Sequence, residues 1–221
     1  FMNLPNGWSK YEQAEKVINY LCPHSYVNLG VGMPGIVAEL LDDTKGINFH
    51  CENGIVGYRG LNDQEEVDPD IIDAATNPVG LIAGAAIVAH DLSFAIARGG
   101  RLDTAVLGAF QVSESGDLAN WKSPNALIAG VGGAMDLAVG AKEVIIMMKH
   151  LDKNGESKIV KDCTYPITAR KVVDYIVTEF AVFAINPNGL VVVDIADGMT
   201  EEILATITDA PFTSNLLKME V

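Results

Sequence analysis

Positive charge is scarce in this chain of 221 residues: 15 lysines and arginines stand against 29 aspartates and glutamates, for a formal net charge of −14. Nucleic-acid phosphates are held by clusters of Lys and Arg, so nucleic-acid binding is excluded as the main activity. The surplus acid is dispersed, with one small knot at Glu65, Glu66, Asp68 and Asp70 that reads as a solvated loop. Cysteine is rare as well. Cys22, Cys51 and Cys163 form no C-x-x-C pair and no metal-ligand spacing, which argues against a disulfide scaffold or a metal centre and fits a reducing cytoplasm. No stretch approaches the ~20 apolar residues of a membrane span, and no signal-peptide pattern opens the chain. The sequence also lacks fixed-period repeats, low-complexity tracts and an obvious linker.

What is present is an ordinary globular balance, 49% hydrophobic and 20% charged, long enough for one large domain over residues 1–221. Ser9 and Glu12 form a capping box ahead of the helical stripe Ala14, Val17, Ile18 and Leu21, predicting a helix over Ser9–Leu21 that Pro23 stops. A strand over Tyr26–Leu29 leads through a glycine turn into a helix over Pro34–Leu41. Ile47–Cys51 alternates as a strand, and Glu52–Asp70 has loop composition. His90–Arg98 reads as a helix ended by Gly99-Gly100. Thr104–Phe110 and Glu143–Met148 are β-branched runs of the kind buried on both faces of a sheet, with a shorter strand expected over Ala126–Ala129. Arg170–Val177 looks helical, Ala181–Ile185 and Leu190–Ile195 form a hairpin across Asn186–Gly189, and Thr200–Ile207 closes as a helix. Strands alternating with helices predict an α/β fold, a mainly parallel sheet with flanking helices and a small antiparallel addition.

Gly30-Val31-Gly32-Met33-Pro34-Gly35 is a literal G-x-G-x-x-G between a strand and a helix, and the acid Glu52 follows the next strand. That is close to a dinucleotide fingerprint and implies an NAD-dependent oxidoreductase. Against it, Glu52 runs straight into Asn53-Gly54 and so sits on a turn, and no catalytic set for hydride transfer follows. A carboxylate on a tight Glu-Asn-Gly turn beyond a buried strand is rigidly held and partly desolvated, which makes it a candidate nucleophile. The same residue could equally cap a backbone N–H. The four histidines, His24, His50, His90 and His150, lack metal spacing and any nearby G-x-S-x-G elbow, so they read as surface or internally satisfied residues. Trp8 and Trp121 read as packing residues.

Phe49-His-Cys-Glu-Asn-Gly-Ile-Val-Gly57 resembles the S-E-N-G signature of family I CoA-transferase β subunits. Asn28-Leu-Gly-Val-Gly-Met-Pro34 is similar to the family's N-L-G-x-G-x-P turn. Further blocks match in order: Ser93-Phe94, Arg98-Gly-Gly100, Leu107–Ser113, Gly116–Trp121, Val131–Leu137, Cys163–Thr168 and Thr178–Phe183. The resemblance spans essentially the whole chain. It implies the NagB/RpiA/CoA-transferase-like three-layer fold and a ping-pong exchange of CoA between acids. In it Glu52 would be the catalytic residue and carry a covalent CoA thioester. It further implies Gly132 or Gly133 as an oxyanion or CoA-binding donor, Asn53 and Gly54 as supports of the turn, and Gln111 and Asn120 as substrate contacts. Coenzyme A would be a substrate, with no cofactor tightly bound. A separate α subunit would complete a heterotetramer or larger assembly, and the substrates would be an acyl-CoA and a carboxylic acid. Short-chain acids, acetoacetate, butyrate and 3-oxoadipate remain open as that acid. Three departures from the family pattern, Cys51, Arg101 and the pair Tyr58-Arg59, are expected near the acyl pocket and bear on substrate choice.

Overall fold

The computed structural model describes residues 4–41, 45–62, 64–124 and 130–216. In chain order the strands are β1 (Tyr26–Leu29), β2 (Asn48–Cys51), β3 (Ile55–Arg59), β4 (Gly80–Ile87), β5 (Thr104–Leu107), β6 (Gln111–Ser113), β7 (Leu118–Ala119), β8 (Glu143–Met147), β9 (Ile159–Val160), β10 (Tyr175–Val177), β11 (Ala181–Asn186), β12 (Gly189–Ile195) and β13 (Phe212–Ser214). The helices are α1 (Lys10–Tyr20), α2 (Ile36–Leu40), α3 (His90–Arg98), α4 (Ala134–Gly140) and α5 (Glu201–Ile207). Ten strands form one sheet in the order β13-β12-β11-β10-β8-β5-β1-β2-β3-β4, and β7-β6-β9 form a second, small one. The centre of the large sheet, from β10 through β8, β5 and β1 to β2, is parallel throughout. Antiparallel strands extend it on both sides.

Alternation along the strands assigns the layers. Ala105 and Leu107 of β5 and Val144 and Ile146 of β8 join one apolar cluster with Ala97, Leu137 and Leu204 of α3, α4 and α5. Their neighbours Val106, Ile145 and Met147 join the other, with Ala14 and Val17 of α1 and Val37 of α2. Successive side chains of a strand point to opposite faces, so the parallel centre is buried on both sides between two helical layers. This is the three-layer α/β architecture expected from the sequence.

Three local expectations need correction. The Arg170–Val177 segment is not a helix: Lys171 takes a left-handed φ of 53°, and Tyr175–Val177 pairs with β8 and β11. Ile176 and Val177 bury on opposite faces of the sheet, a demand that overrides any helical reading. The Glu52–Asp70 stretch is not loop throughout, because Ile55–Arg59 returns from β2 as a hairpin strand. The helix over Pro34–Leu41 begins as a 3₁₀ turn at Met33–Gly35 and becomes α-helical only over Ile36–Leu40. The strand expected over Ala126–Ala129 lies outside the described residues.

The remaining elements follow their local chemistry. Ser9 caps α1, with Glu12 Oε2 accepting from Ser9 N at 2.7 Å and Ser9 Oγ accepting from Glu12 N at 3.2 Å. At the far side of the sheet, β4 (Gly80–Ile87) is an edge strand without a charged residue, and Leu81 and Ile87 are exposed on it.

Candidate active site

Strands β1, β2 and β5 run in one direction, so the residues after Leu29, Cys51 and Leu107 emerge together at the carboxyl edge of the sheet. Strand order reverses around β1, whose neighbours are β2 on one side and β5 on the other. In open α/β sheets that reversal opens a crevice at the carboxyl ends of the strands, where ligands bind.

Glu52 stands on this edge. It is the first residue of the three-residue turn between β2 and β3, which closes on the Cys51–Ile55 pair. Gly54 holds the turn with φ +125°, and a Cβ there would meet Val88 O at 2.3 Å. Its own N–H donates to Cys51 O at 3.0 Å, and its carbonyl accepts from Val88 N at 2.8 Å. Glycine is therefore required at this position, both for its torsion and for the close approach of Val88. Asn53 is exposed, and its Nδ2 donates to Ile72 O at 2.8 Å, tying the turn to the following loop.

Glu52 itself is half-buried, and its Oε2 accepts from Asn28 Nδ2 at 3.2 Å. Among the described residues Oε1 has no hydrogen bond. Asn28 and His50 are registered partners on β1 and β2 and both are fully buried. Val27, Leu29, Phe49 and Cys51 point to the face of α1 and α2, which puts Asn28 and His50 on the α3 face. There Asn28 Nδ2 lies 3.1 Å from His50 Nδ1 and 3.1 Å from His50 O, and His50 Nε2 lies 2.9 Å from Ser93 Oγ on α3. Burial pushes His50 down to about 4, so it is neutral near pH 7. Burial likewise pushes the Cys51 thiol up to about 12, so it is protonated near pH 7 and a poor nucleophile.

Reading the chain residue by residue does not bring out Asn28, His50 and Ser93 as a set. The available signal is a pair of polar residues inside short strands whose neighbours are apolar. The β1–β2 register joins Asn28 to His50 and the packing of α3 brings in Ser93, and a single sequence displays neither.

The other candidate residues are placed as follows. Gly132 has φ +65° and open space around its Cα, and Gly133 precedes α4. A Cβ on Gly133 would meet the Phe94 ring of α3 at 2.7 Å, so this turn rests on the helix that starts at the Glu52 edge. No hydrogen bond joins either glycine to Glu52 among the described residues. Gln111 is engaged with a neighbouring loop: its Oε1 accepts from Thr164 N at 2.9 Å and from Tyr165 N at 3.1 Å, and its Nε2 donates to Thr164 Oγ1 at 3.1 Å. Asn120 Nδ2 donates to Gly108 O at 3.1 Å, just beyond β5, and its Oδ1 accepts from Thr168 Oγ1 at 2.7 Å. Neither amide is joined to Glu52.

Two of the sequence departures lie away from the Glu52 edge of the sheet. Tyr58 is buried against Phe49, and Arg59, paired with Glu65 at 2.7 Å, lies where β3 has run back to the opposite edge of the sheet. Arg101 follows α3 at that same opposite edge, next to Leu102 and Asp103 ahead of β5. The antiparallel return of β3, hidden in the sequence, carries the first pair away from Glu52.

The glycine fingerprint also loses its basis. A Cβ on Gly35 would meet nothing within 4 Å, so the third glycine serves no close helix–strand packing, and the helix after it has only five residues.

Comparison with known proteins adds a family. The model of the Coenzyme A transferase family matches residues 11–204. The chain is 44% identical to a subunit of the 3-oxoadipate CoA-transferase of Pseudomonas putida over 211 residues, 95% of this chain and 99% of that one. It is 42% identical to a subunit of the succinyl-CoA:3-ketoacid coenzyme A transferase of Helicobacter pylori, over 86% of this chain and 92% of the relative. In fold it resembles the acyl-CoA transferase YdiF of Escherichia coli O157:H7, with TM-score 0.73 and 21% identity. That match covers 97% of this chain and 43% of the larger one, so the chain spans under half of that protein.

Proposed function

This chain belongs to the Coenzyme A transferase family, and we propose that it is the subunit that carries the nucleophile, Glu52, in a two-subunit enzyme exchanging CoA between 3-oxo and other short carboxylic acids. The observation that carries this reading is the setting of Glu52. A carboxylate on a glycine-locked turn at the switch-point edge has one oxygen held by a buried amide and the other without a hydrogen bond among the described residues.

The chemistry requires no redox step. A Glu52 oxygen attacks the thioester carbonyl carbon of an acyl-CoA, the C–S bond breaks, and CoA leaves as a thiolate. The thiolate then attacks the side-chain carbonyl carbon of Glu52, the anhydride C–O bond breaks, and the first acid departs as a carboxylate. A second carboxylate runs the same steps in reverse and leaves with CoA. Charge gathers on an oxygen in each tetrahedral intermediate, so backbone N–H donors are needed there. Gly132 and Gly133 can supply them, since an open glycine turn lets a substrate approach the backbone. For Gln111 and Asn120 the internal hydrogen bonds favour a supporting part, holding the walls around Thr164 and Gly108, rather than direct contact with substrate.

Three further points complete the reading. The two relatives are named for 3-oxo acids, which favours that substrate class here. Each is named as one subunit of its enzyme, and the uncharged, exposed edge strand β4 calls for cover, which supports a separate partner chain; a heterotetramer is the expected form. The free cysteines among the described residues suit a reducing cytoplasm.

The test is exchange of CoA from succinyl-CoA to acetoacetate and to 3-oxoadipate, measured in the enzyme assembled with its partner. Glu52→Gln is expected to lower the rate by more than about 10⁴-fold while the complex still assembles. Substantial exchange in that variant would overturn the assignment.

A further inference from the structure

Deepening the reading of Glu52 as nucleophile, on which it rests, we propose that Asn28 is a positioning residue for that carboxylate, itself oriented by an ordered chain of hydrogen bonds through His50 and Ser93.

The order of the chain follows from its distances. Turning the Asn28 amide over would place Oδ1 at 3.2 Å from Glu52 Oε2 and 3.1 Å from His50 O, oxygen against oxygen. The amide nitrogen must therefore face Glu52. That same nitrogen is 3.1 Å from His50 Nδ1, and a protonated Nδ1 would set donor against donor, so Nδ1 shares the amide proton aimed at His50 O and the ring proton sits on Nε2. Nε2 then donates to Ser93 Oγ at 2.9 Å, which leaves the Ser93 hydroxyl proton for Cys51 O at 3.3 Å. Cys51 is the residue before Glu52, and its carbonyl also receives the N–H of Gly54. The chain thus leaves the Glu52 side chain and returns to the backbone of the same turn. Every member beyond Glu52 is fully buried, so water does not compete for the bonds.

Asn28 Oδ1 is buried and, like Gln13 Oε1, has no hydrogen-bond partner among the described residues. An unpartnered buried acceptor destabilises a fold, and an apolar residue of similar shape avoids that cost. The side chain that weakens the core is the one whose other end holds Glu52.

The test uses the enzyme assembled with its partner subunit and follows, by rapid-quench mass spectrometry, the single-turnover rate at which CoA mass appears on the Glu52 peptide. Asn28→Leu removes the amide and the orphan acceptor together. Loss of a hydrogen bond to a charged group predicts a fall in that rate and in kcat of about 10- to 100-fold. KM should stay within about twofold and Tm within about 5 °C, because the contact is to the nucleophile and not to the substrate. Ser93→Ala, which leaves the amide in place and loosens only its anchor, is expected to lower the rate about fivefold with KM again unchanged. If Asn28→Leu does not fold, the Ser93 variant decides the matter alone. Wild-type labelling rates in both variants, or in Ser93→Ala alone in that case, overturn this inference and leave the Glu52 assignment standing. Absence of the adduct in the wild-type complex overturns both. A purely structural role would give a lowered Tm with unchanged labelling per folded molecule.

Discussion

His50 and His150 are chemically one group in nearly one setting, and what lies beyond each of them differs. Both are fully buried, and burial pushes both down to about 4. Each has polar partners for its two ring nitrogens. Around His150 these are Thr178 Oγ1 at 3.1 Å and Thr208 Oγ1 at 3.0 Å, and the same hydroxyls lie 3.2 Å from Ala181 O and 2.8 Å from Leu204 O; the neutral ring accepts from one hydroxyl and donates to the other. That network closes on backbone carbonyls and on the rings of Phe180 and Phe183. Around His50 the network runs instead to a half-buried carboxylate at the carboxyl edge of the sheet. The difference teaches that burial and a lowered proton affinity do not mark a functional histidine. What its partners touch next does.

The largest effect that could break the comparison is chemical. Glu52→Gln keeps a hydrogen-bonding side chain on the His50 network and removes the proposed nucleophile, so exchange activity should vanish while the melting curve is preserved. Persistent exchange would reduce the two networks to one kind.

Acid comes next and should treat the two histidines alike. Each is held neutral in the folded chain, whereas an unfolded histidine takes up a proton near 6.5. The unfolded state therefore binds more protons below that value. The stabilisation is whole above about pH 6.5, falls as pH drops toward about 4, and is lost below. Each site contributes about 3 kcal/mol across that window. Thermal melts at several pH values check this, and replacing either histidine by Gln should flatten the curve by a similar amount.

A smaller effect comes from the turn. Gly54→Ala forces a Cβ onto Val88 O and strains a positive φ, which predicts a loss on the order of 2 kcal/mol. It should also reduce activity by displacing Glu52. Melting and kcat measured together would show both falling, in contrast to Gly35→Ala, where the backbone is not left-handed and a Cβ meets nothing within 4 Å.

The smallest sharpens the contrast most cleanly. Thr208→Val leaves His150 Nε2 without its partner and should cost about 1 kcal/mol of stability, with kcat unchanged. Ser93→Ala, the matching change beside His50, should register in the labelling rate. Equal kinetic effects from the two would contradict the division drawn here.

Much of the fold is legible in the order of residues alone. The capping box at Ser9 and Glu12 forms as its spacing predicts, the Asn186–Gly189 hairpin closes, and the strands around Ala105 and Ile145 bury both faces. These are local signals, carried by neighbours within a few residues. Strand β4 is not legible, because Gly80-Leu-Ile-Ala-Gly-Ala-Ala-Ile87 has neither alternation nor many branched residues, and its strand form depends on pairing with β3. Strand β10 is hidden for the same reason, since only its place between β8 and β11 makes Tyr175–Val177 extended. At the proposed site, Glu-Asn-Gly shows a turn, and Glu52 is singled out by the resemblance of Phe49–Gly57 to a family signature. The Asn28–His50–Ser93 chain is not legible, because strand positions 22 residues apart and a helix 43 residues further on meet only through tertiary packing.

The most direct test of the central claim is the intact mass of the assembled enzyme after incubation with acetoacetyl-CoA and no acceptor acid. The account predicts an adduct of CoA mass that hydroxylamine removes and that maps to the peptide holding Glu52. A complex that turns over acyl-CoA with no such adduct, or with one on another peptide, would contradict it.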